Sequence, residues 1–431
     1  MGGLLRTPNF LWLWLAQIVS GLGDTIYNVA VLVTIFERTG SAVQTVTVAV
    51  ATMLPPVLLS PIAGVVVDRA PRQRVMVIMD LLRAGMVALL LLSLRSGFST
   101  WAIYAVVAGL AAANAFYLPA RLSLLPTLVP KESLVRANSL VMSTNQAVFA
   151  AGYLLGGVLV LNFALSTLVA LDLASFLLAA LFVAFIRPPE RATPRPMGRR
   201  NPFLASLREG FGYLRHHRLP RALVTMELIE FVPHGLWTAG LMLVFVQQAL
   251  GGTAADWGYQ NAIFFGGQLV GALLAVAWAS RLARRPGWLI IANALLFTLA
   301  TVAYALSPSL LVTALLCFVF GPTSAIRDVM QDSLLQGSVK NELLGRVYSA
   351  RMMGTSLSFI VGSLGFAWLA DVVDVRLVFL LGAALYFVTA LYALSQRPLR
   401  ESQLVEEGTV GLRPQHPGAE EGGGGRGASA T

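Results

Sequence analysis

Apolar residues recur in long runs through this chain. Measured against the roughly 20 residues that carry a helix across a bilayer core, the runs divide into twelve predicted spans: residues 10–36, 44–67, 74–94, 99–120, 137–161, 164–186, 221–248, 257–280, 287–306, 308–327, 345–370 and 375–395. The breaks carry turn and charge chemistry, as in Arg38-Thr-Gly40, Asp68-Arg-Ala-Pro-Arg72, Gly251-Gly252 and Arg284-Arg-Pro286. Connections this short make successive helices antiparallel neighbours. The longest interruption, Arg187 to Pro220, is basic and rich in proline, and it separates six spans from six. Within it Phe203, Leu207, Phe211 and Leu214 recur at spacings of 4, 4 and 3, which predicts a short amphipathic helix lying at the membrane surface. The pattern predicts an all-α integral membrane protein in four parts. These are an N-terminal six-helix half (1–186), a cytoplasmic linker with an amphipathic helix (187–220), a C-terminal six-helix half (221–396) and a tail (397–431) expected to be disordered for want of apolar periodicity.

Composition agrees with that pattern. Only 12% of residues are charged and mean hydropathy is +0.72, against roughly 25% charged residues in a soluble domain. The net charge of +10 raises the question of a nucleic-acid partner, and the placement of the charge answers it. With the N-terminus inside, 27 of the 31 Lys and Arg fall on cytoplasmic segments; Arg38, Arg95 and Arg376 fall outside, and Arg83 lies within the third span. That asymmetry is the positive-inside signal, so both termini are expected in the cytoplasm and the charge records topology. No nucleic-acid partner is called for. Cys317 is the one cysteine and sits in an apolar run, which excludes an intrachain disulfide and a thiolate metal cluster; no metal or cofactor is expected.

The halves repeat one another at an offset of 210. Ser123, Leu124, Leu125, Val129, Glu132, Leu134, Arg136 and Ser139 meet Ser333, Leu334, Leu335, Val339, Glu342, Leu344, Arg346 and Ser349 without a gap, eight identities in 17 positions. About one would arise by chance, so spans 4 and 5 are related to spans 10 and 11. A path for substrate between two parallel-repeat halves is the organisation this implies.

Six spans, a basic linker, six spans and such a repeat resemble the major facilitator superfamily, and the loop after the second span strengthens the likeness. It reads Gly64-Val-Val-Val-Asp68-Arg69-Ala-Pro-Arg72-Gln73-Arg74, followed by Asp80 and Arg83, against a family pattern of Gly-x-x-x-Asp-Arg-x-x-Arg-[Arg or Lys]. The resemblance implies a cytoplasmic gate in which Gly64 admits a neighbouring helix and Asp68 pairs with arginines facing it. Arg121, Glu132, Arg136, Glu342, Arg346 and Arg351 lie at the inner ends of spans 4, 5, 10 and 11; by resemblance they join that network, with Asp68 expected to meet Arg346 or Arg351. The matching loop of the second half, Ser280-Arg281-Leu-Ala-Arg284-Arg285, has Ser280 where the acid would stand.

In the fifth span, Gly152-Tyr153-Leu-Leu-Gly156-Gly157 is similar to the Gly-Pro-x-x-Gly-Gly signature of antiporters in this superfamily, with Tyr153 in place of proline. Tight helix packing is the competing explanation of those glycines. Phe10-Leu-Trp-Leu-Trp-Leu-Ala-Gln17, Pro119-Ala-Arg121 and Gly345-Arg346-Val-Tyr-Ser349 resemble the bacterial branch that includes enterobactin exporters and macrolide efflux proteins. That branch implies proton-driven export from a bacterial cytoplasmic (inner) membrane, by a monomer.

Proton coupling needs an ionisable group inside the membrane that water can reach from either side, and such groups are few because a charge at mid-bilayer costs about 2.5–3.5 kcal/mol on insertion scales. Asp24 stands midway along the first span. Glu227, Glu230 and His234 stand at i, i+3 and i+7 on the seventh, one face of one helix. At the 210 offset these three meet Gln17, Ser20 and Asp24, so two repeat-related helices each present a polar stripe. Asp24 is the first candidate for proton coupling, followed by Glu230, Glu227 and His234. Structural pairing within the helix bundle is the alternative role for each. Gln17, Ser20, Asn28, Asn114, Asn145, Gln146, Trp237 and Gln268 are the candidate cavity residues.

The function expected is export of a small amphipathic molecule, such as a macrolide, another drug or a siderophore, in exchange for protons across the lipid bilayer. Import of a nutrient or lipid by the same fold is the alternative. A membrane-embedded enzyme is disfavoured, since the sequence has no paired-aspartate metal motif and no soluble catalytic insertion. An ATP-driven pump would need a Gly-rich loop ending in Lys-Ser or Lys-Thr, which is missing.

Overall fold

The computed structural model describes residues 7–187, 203–238, 240–404 and 410–412; the remaining residues, and a few side chains including those of Asp68, Phe203 and Ser280, lie outside that description. The N half is α1 (Pro8–Thr39), α2 (Ala42–Arg69), α3 (Arg72–Ser96), α4 (Thr100–Leu128), α5 (Leu134–Asn162) and α6 (Leu165–Ala184). A linker helix α7 (Phe203–His216) leads into the C half: α8 (Arg218–Thr238), α9 (Leu241–Gln248), α10 (Ala254–Ala277), α11 (Ala279–Leu282), α12 (Pro286–Leu306), α13 (Leu310–Ser338), α14 (Asn341–Val372) and α15 (Val375–Ser395). A short α16 (Arg397–Arg400) follows. Among the described residues eleven helices are long and apolar enough to cross a bilayer, or twelve if the bent α8–α9 pair forms one span.

Turn chemistry sets the helix starts on the face away from the linker. Ser41, Ser99 and Ser309 each accept a backbone N–H of the first turn of α2, α4 and α13, and Thr253 with Asp256 forms a reciprocal capping box on α10. The seventh span departs from the continuous helix expected over 221–248. α8 and α9 meet at 49°, beside Gly240 at φ 91°, a conformation that glycine adopts without a Cβ penalty. Pro233, by contrast, stays inside α8.

Packing repeats from half to half. α1 lies on α5 and α6, α2 on α4, and α3 on α4 and α6; α8 lies on α14 and α15, α10 on α13, and α12 on α13 and α15. The halves meet through two equivalent pairs, α5 with α10 and α2 with α14. Leucines such as Leu58, Leu89, Leu273, Leu299, Leu311 and Leu315 remain more than half exposed on outward faces, as a lipid-facing surface requires.

Two expectations change. Leu207 and Leu214 of α7 are buried and the helix docks on α14 and α8, leaving Phe211 outward, so most of its apolar face is used within the protein. The beginning of the tail is ordered: after α16, β1 (Ser402–Leu404) pairs antiparallel with β2 (Val410–Leu412), and the Leu404 amide donates to the Ala283 carbonyl at 3.1 Å. Leu399, fully buried against Gly287 of α12, anchors this segment where periodicity gave no signal.

Candidate functional site

Polar groups in the N half gather around one guanidinium. Arg83 of α3, 4% exposed, donates to Asn114 Oδ1 of α4 at 2.9 Å and reaches Asp80 Oδ1 at 3.4 Å. Its Cζ lies 4.5 Å from the Tyr117 ring centroid, a cation–π contact. Asp24 of α1 accepts from Ser20 at 3.5 Å, and among the described residues it enters no ion pair. With Asn28, Arg83 and Asn114 it lines a cavity of about 280 Å³ whose apolar wall includes Val31, Val48 and Phe149. Behind Asp24, Asp172 of α6 is fully buried and accepts from Ser175 Oγ at 3.3 Å. The helices approach this closely at Gly23, where a Cβ would collide with Ser175 Oγ and stand 2.9 Å from Asp172 Oδ1.

In the C half, the acids of α8 are held by arginines. Glu230 accepts from Arg327 of α13 at 2.8 Å, and Arg327 Nε lies 3.1 Å from Asp328 Oδ1. Glu227 is clasped by two nitrogens of Arg351 of α14, with Nε to Oε2 at 2.5 Å, while Arg351 also donates to Asp332 at 2.5 Å. Glu227 and Glu230 are only 5% and 7% exposed, so pairing offsets the cost of burying their charges. His234 stacks on Phe231, ring centroids 4.9 Å apart. Glu227, His234, Arg327 and Arg351, though not Glu230, line a second cavity of about 420 Å³, with Trp237, Phe264, Phe320 and Gln268 from the C half and Tyr153 from α5 of the N half. It therefore lies where the halves meet.

The contacts that join the halves run along the linker-distal end. Gly157 of α5 packs on α10, where a Cβ would lie 2.7 Å from the Ala254 carbonyl and 3.1 Å from Gly258 Cα. Gly152 and Gly156 instead admit Thr25 and Val29 of α1, so the Gly152-to-Gly157 motif wedges α5 between α1 and α10. Further along, Gln146 donates to Gln268 across the halves at 2.6 Å. At the far end Asp371 of α14 caps α2: it accepts from Ser41 Oγ at 2.7 Å, the Ala42 amide at 2.5 Å and the Val43 amide at 3.2 Å.

The residues that the resemblance assigns to a gate occupy several places in the bundle. Asp80 and Arg83 are buried in the N-half cluster and not at the helix ends. Arg346 pairs with Glu209 of α7, and Arg351 with Glu227 and Asp332; the expected pairing of either with Asp68 falls on a side chain outside the described residues. With the halves joined at the linker-distal end, Arg72, Arg121 and Arg351 near the other end take partners within their own half and Arg346 takes one from α7. Arg121 donates to Gln17, Arg72 donates to the Ser123 carbonyl at 3.1 Å, and Arg69 and Arg136 are exposed. Gly64 lies in α2. Among the cavity candidates, Gln17 also donates to Tyr117 OH at 3.4 Å, and Asn145 lies on α5 outside both cavity linings. Sequence reasoning missed Asp172 and Arg327. A lone aspartate in the run Leu171-Asp-Leu was the signal for the first. Arg327 was counted as a loop charge because its span was ended there, whereas α13 continues to Ser338.

Two pseudo-symmetric six-span halves with polar cavities within and between them define a membrane transporter. The profile of the Major Facilitator Superfamily matches residues 13–232 and 232–419, and the chain belongs to that family. It is 27% identical over 397 residues to the uncharacterized MFS-type transporter YjbB of Bacillus subtilis (strain 168), covering 91% of this chain and 96% of that protein. Macrolide efflux protein A of Streptococcus pyogenes is 25% identical over 389 residues (89% and 94%), and the multidrug efflux pump Tap of Mycobacterium tuberculosis (strain ATCC 25618 / H37Rv) is 28% identical over 416 (94% and 97%). Among solved structures, the nucleoside transporter NupG superposes with a TM-score of 0.70 at 12% identity, over 90% of this chain and 98% of that one. At that identity the likeness concerns the fold.

Proposed function

We propose that this chain is a proton-coupled exporter of a small amphipathic molecule, working by alternating access from a bacterial cytoplasmic membrane with both termini in the cytoplasm. The observation that carries the reading is Asp24, a carboxyl outside any described ion pair that faces a cavity, in a bundle where Glu227 and Glu230 are both held by arginines. A group tied to a buried guanidinium gives up its charge reluctantly. One facing a water-accessible cavity can exchange a proton, so Asp24 stays ahead of Glu230, Glu227 and His234 as the coupling site.

The aromatic wall of the larger cavity, Tyr153, Phe231, Trp237, Phe264 and Phe320, suits stacking on an apolar ring system, and Asp328, Asp332 and Gln268 at its edge suit a polar or basic appendage. Export is supported by two relatives, a macrolide efflux protein and a multidrug efflux pump. With the linker cytoplasmic, contacts at the linker-distal end close the extracellular side, so the arrangement is the one that receives substrate from the cytoplasm. Release outside then requires the Asp371 cap and the Gly157 contact to open while the linker-side ends come together.

The test is transport in everted vesicles acidified inside, with a macrolide, a lipophilic dye cation and a catechol siderophore as probes, reading accumulation together with collapse of the proton gradient. Wild type is expected to accumulate at least one probe with proton release, and Asp24→Asn to lose both. Accumulation by Asp24→Asn equal to wild type would remove Asp24 from coupling.

A further inference from the structure

The N half holds more carboxyls than one guanidinium can neutralise. Asp24, Asp80 and Asp172 share the field of Arg83, which contacts Asp80 and is the only basic side chain among the described residues that acts on any of them. The other groups facing the cluster are Tyr27 of α1, Asn114, Tyr117 and Arg121 of α4, and Ser20 and Ser175; Arg121 is engaged by Gln17 on α1. Asp80 is fully buried and adjoins Arg83, so that pair closes its own charge balance. Asp24 and Asp172 remain. Asp172 Oδ2, Tyr27 OH, Arg83 Nε and Asp80 Oδ2 are buried without a hydrogen-bond partner among the described residues. Two of these are carboxylate oxygens and two are donor groups, and none of them pairs with another, so no donor among the described residues compensates Asp172 Oδ2; a proton there turns the orphaned oxygen into the O–H of a neutral acid. An uncompensated carboxylate at the same place carries the full cost of a buried charge.

We propose that the N half stores two protons, one on Asp24 and one on Asp172. Asp24 exchanges its proton with the cavity; Asp172, packed against α1 at Gly23 and absent from the cavity lining, holds the second behind it. The two sites share one field. With Asp80 and Arg83 paired, the doubly protonated cluster is neutral, loss of the Asp24 proton to cavity water leaves one negative charge, and loss of the second must overcome that charge. The protons therefore leave in two successive steps, and those steps belong to the pair. The proposal rests on the proton-coupled reading above but concerns proton binding, which needs no substrate.

The experiment is infrared difference spectroscopy of the full chain in lipid bilayers through a pH series, reading the protonated-carboxyl stretch. Wild type is expected to lose that absorption in two steps. Asp24→Asn removes one component and shifts the other, Asp172→Asn removes the other, and the double variant removes both. Asp172→Glu keeps a carboxyl and is expected to restore a second component at a displaced frequency, which separates proton binding from damage to the helix packing. A spectrum of Asp172→Asn that superposes on wild type overturns the proposal, as does a single wild-type step lost entirely in Asp24→Asn. Failure of transport coupling alone, with both bands present, would count against the exporter reading and leave this inference standing.

Discussion

Replacing Asp371 by alanine tests whether one carboxylate holds the halves together at the linker-distal end. Its oxygens accept from Ser41 Oγ, the Ala42 amide and the Val43 amide, two of them backbone donors at the start of α2. In effect a residue of the C half caps a helix of the N half. A cap of this kind is worth about 0.5–2 kcal/mol, and the helix-terminus charge attraction is already inside that range because Asp371 is exposed to solvent. α2 itself stays capped, since Ser41 Oγ accepts from the Gln44 amide independently. The loss therefore falls on the state in which the halves touch there, and at about 1.4 kcal/mol per tenfold it shifts that equilibrium by roughly 2- to 30-fold toward opening. Spin labels at Asn162→Cys and Leu311→Cys, exposed at linker-distal ends of opposite halves, read the separation by electron double resonance in a Cys317→Ser background. The labelled Asp371→Ala chain is expected to gain a longer distance at the expense of the short one. An unchanged distribution would show that apolar packing alone sets the closure and that the cap is incidental.

The same labels check Gly157→Val: side-chain atoms placed against the Ala254 carbonyl and Gly258 Cα cost about 1–3 kcal/mol, so the long distance should again grow, and an unaltered short distance would mean that α5 and α10 accommodate the group. For the buried pair, Glu230→Gln leaves Arg327 with Asp328 in contact and Glu227 farther off, and denaturant unfolding in detergent should show a loss of about 3 kcal/mol. The further change Arg327→Gln should recover much of it; equal, additive losses would deny the pairing.

Much of the architecture was legible in one dimension. Hydrophobic run length scales directly with bilayer thickness, so the spans could be counted from the chain, and the identities between residues 123–139 and 333–349 disclosed the two related halves before any contact was known. Polar residues inside apolar runs were equally visible, because in a membrane each is costly and stands out; Asp24, Glu227, Glu230 and His234 were found that way. Local periodicity failed where a short segment is held by distant partners. α7 turns Leu207 and Leu214 toward α14 and α8, and Leu399 anchors the start of the tail.

Partnership lay beyond the sequence. Glu230 meets Arg327 across 97 residues, and Asp371 meets Ser41 across 330. Which acid finds a cation, and which is left facing a cavity, depends on helix rotation and on how close two backbones come. Gly23 and Gly157 show why the sequence is silent on this: each is one small residue among 39 glycines, and only the neighbouring helix makes its missing side chain matter. Spans, repeat and charge asymmetry follow from the solvent each residue prefers, which composition records. The pairing of Arg351 with Glu227 follows from how α14 lies on α8, and that is a property of the assembled bundle.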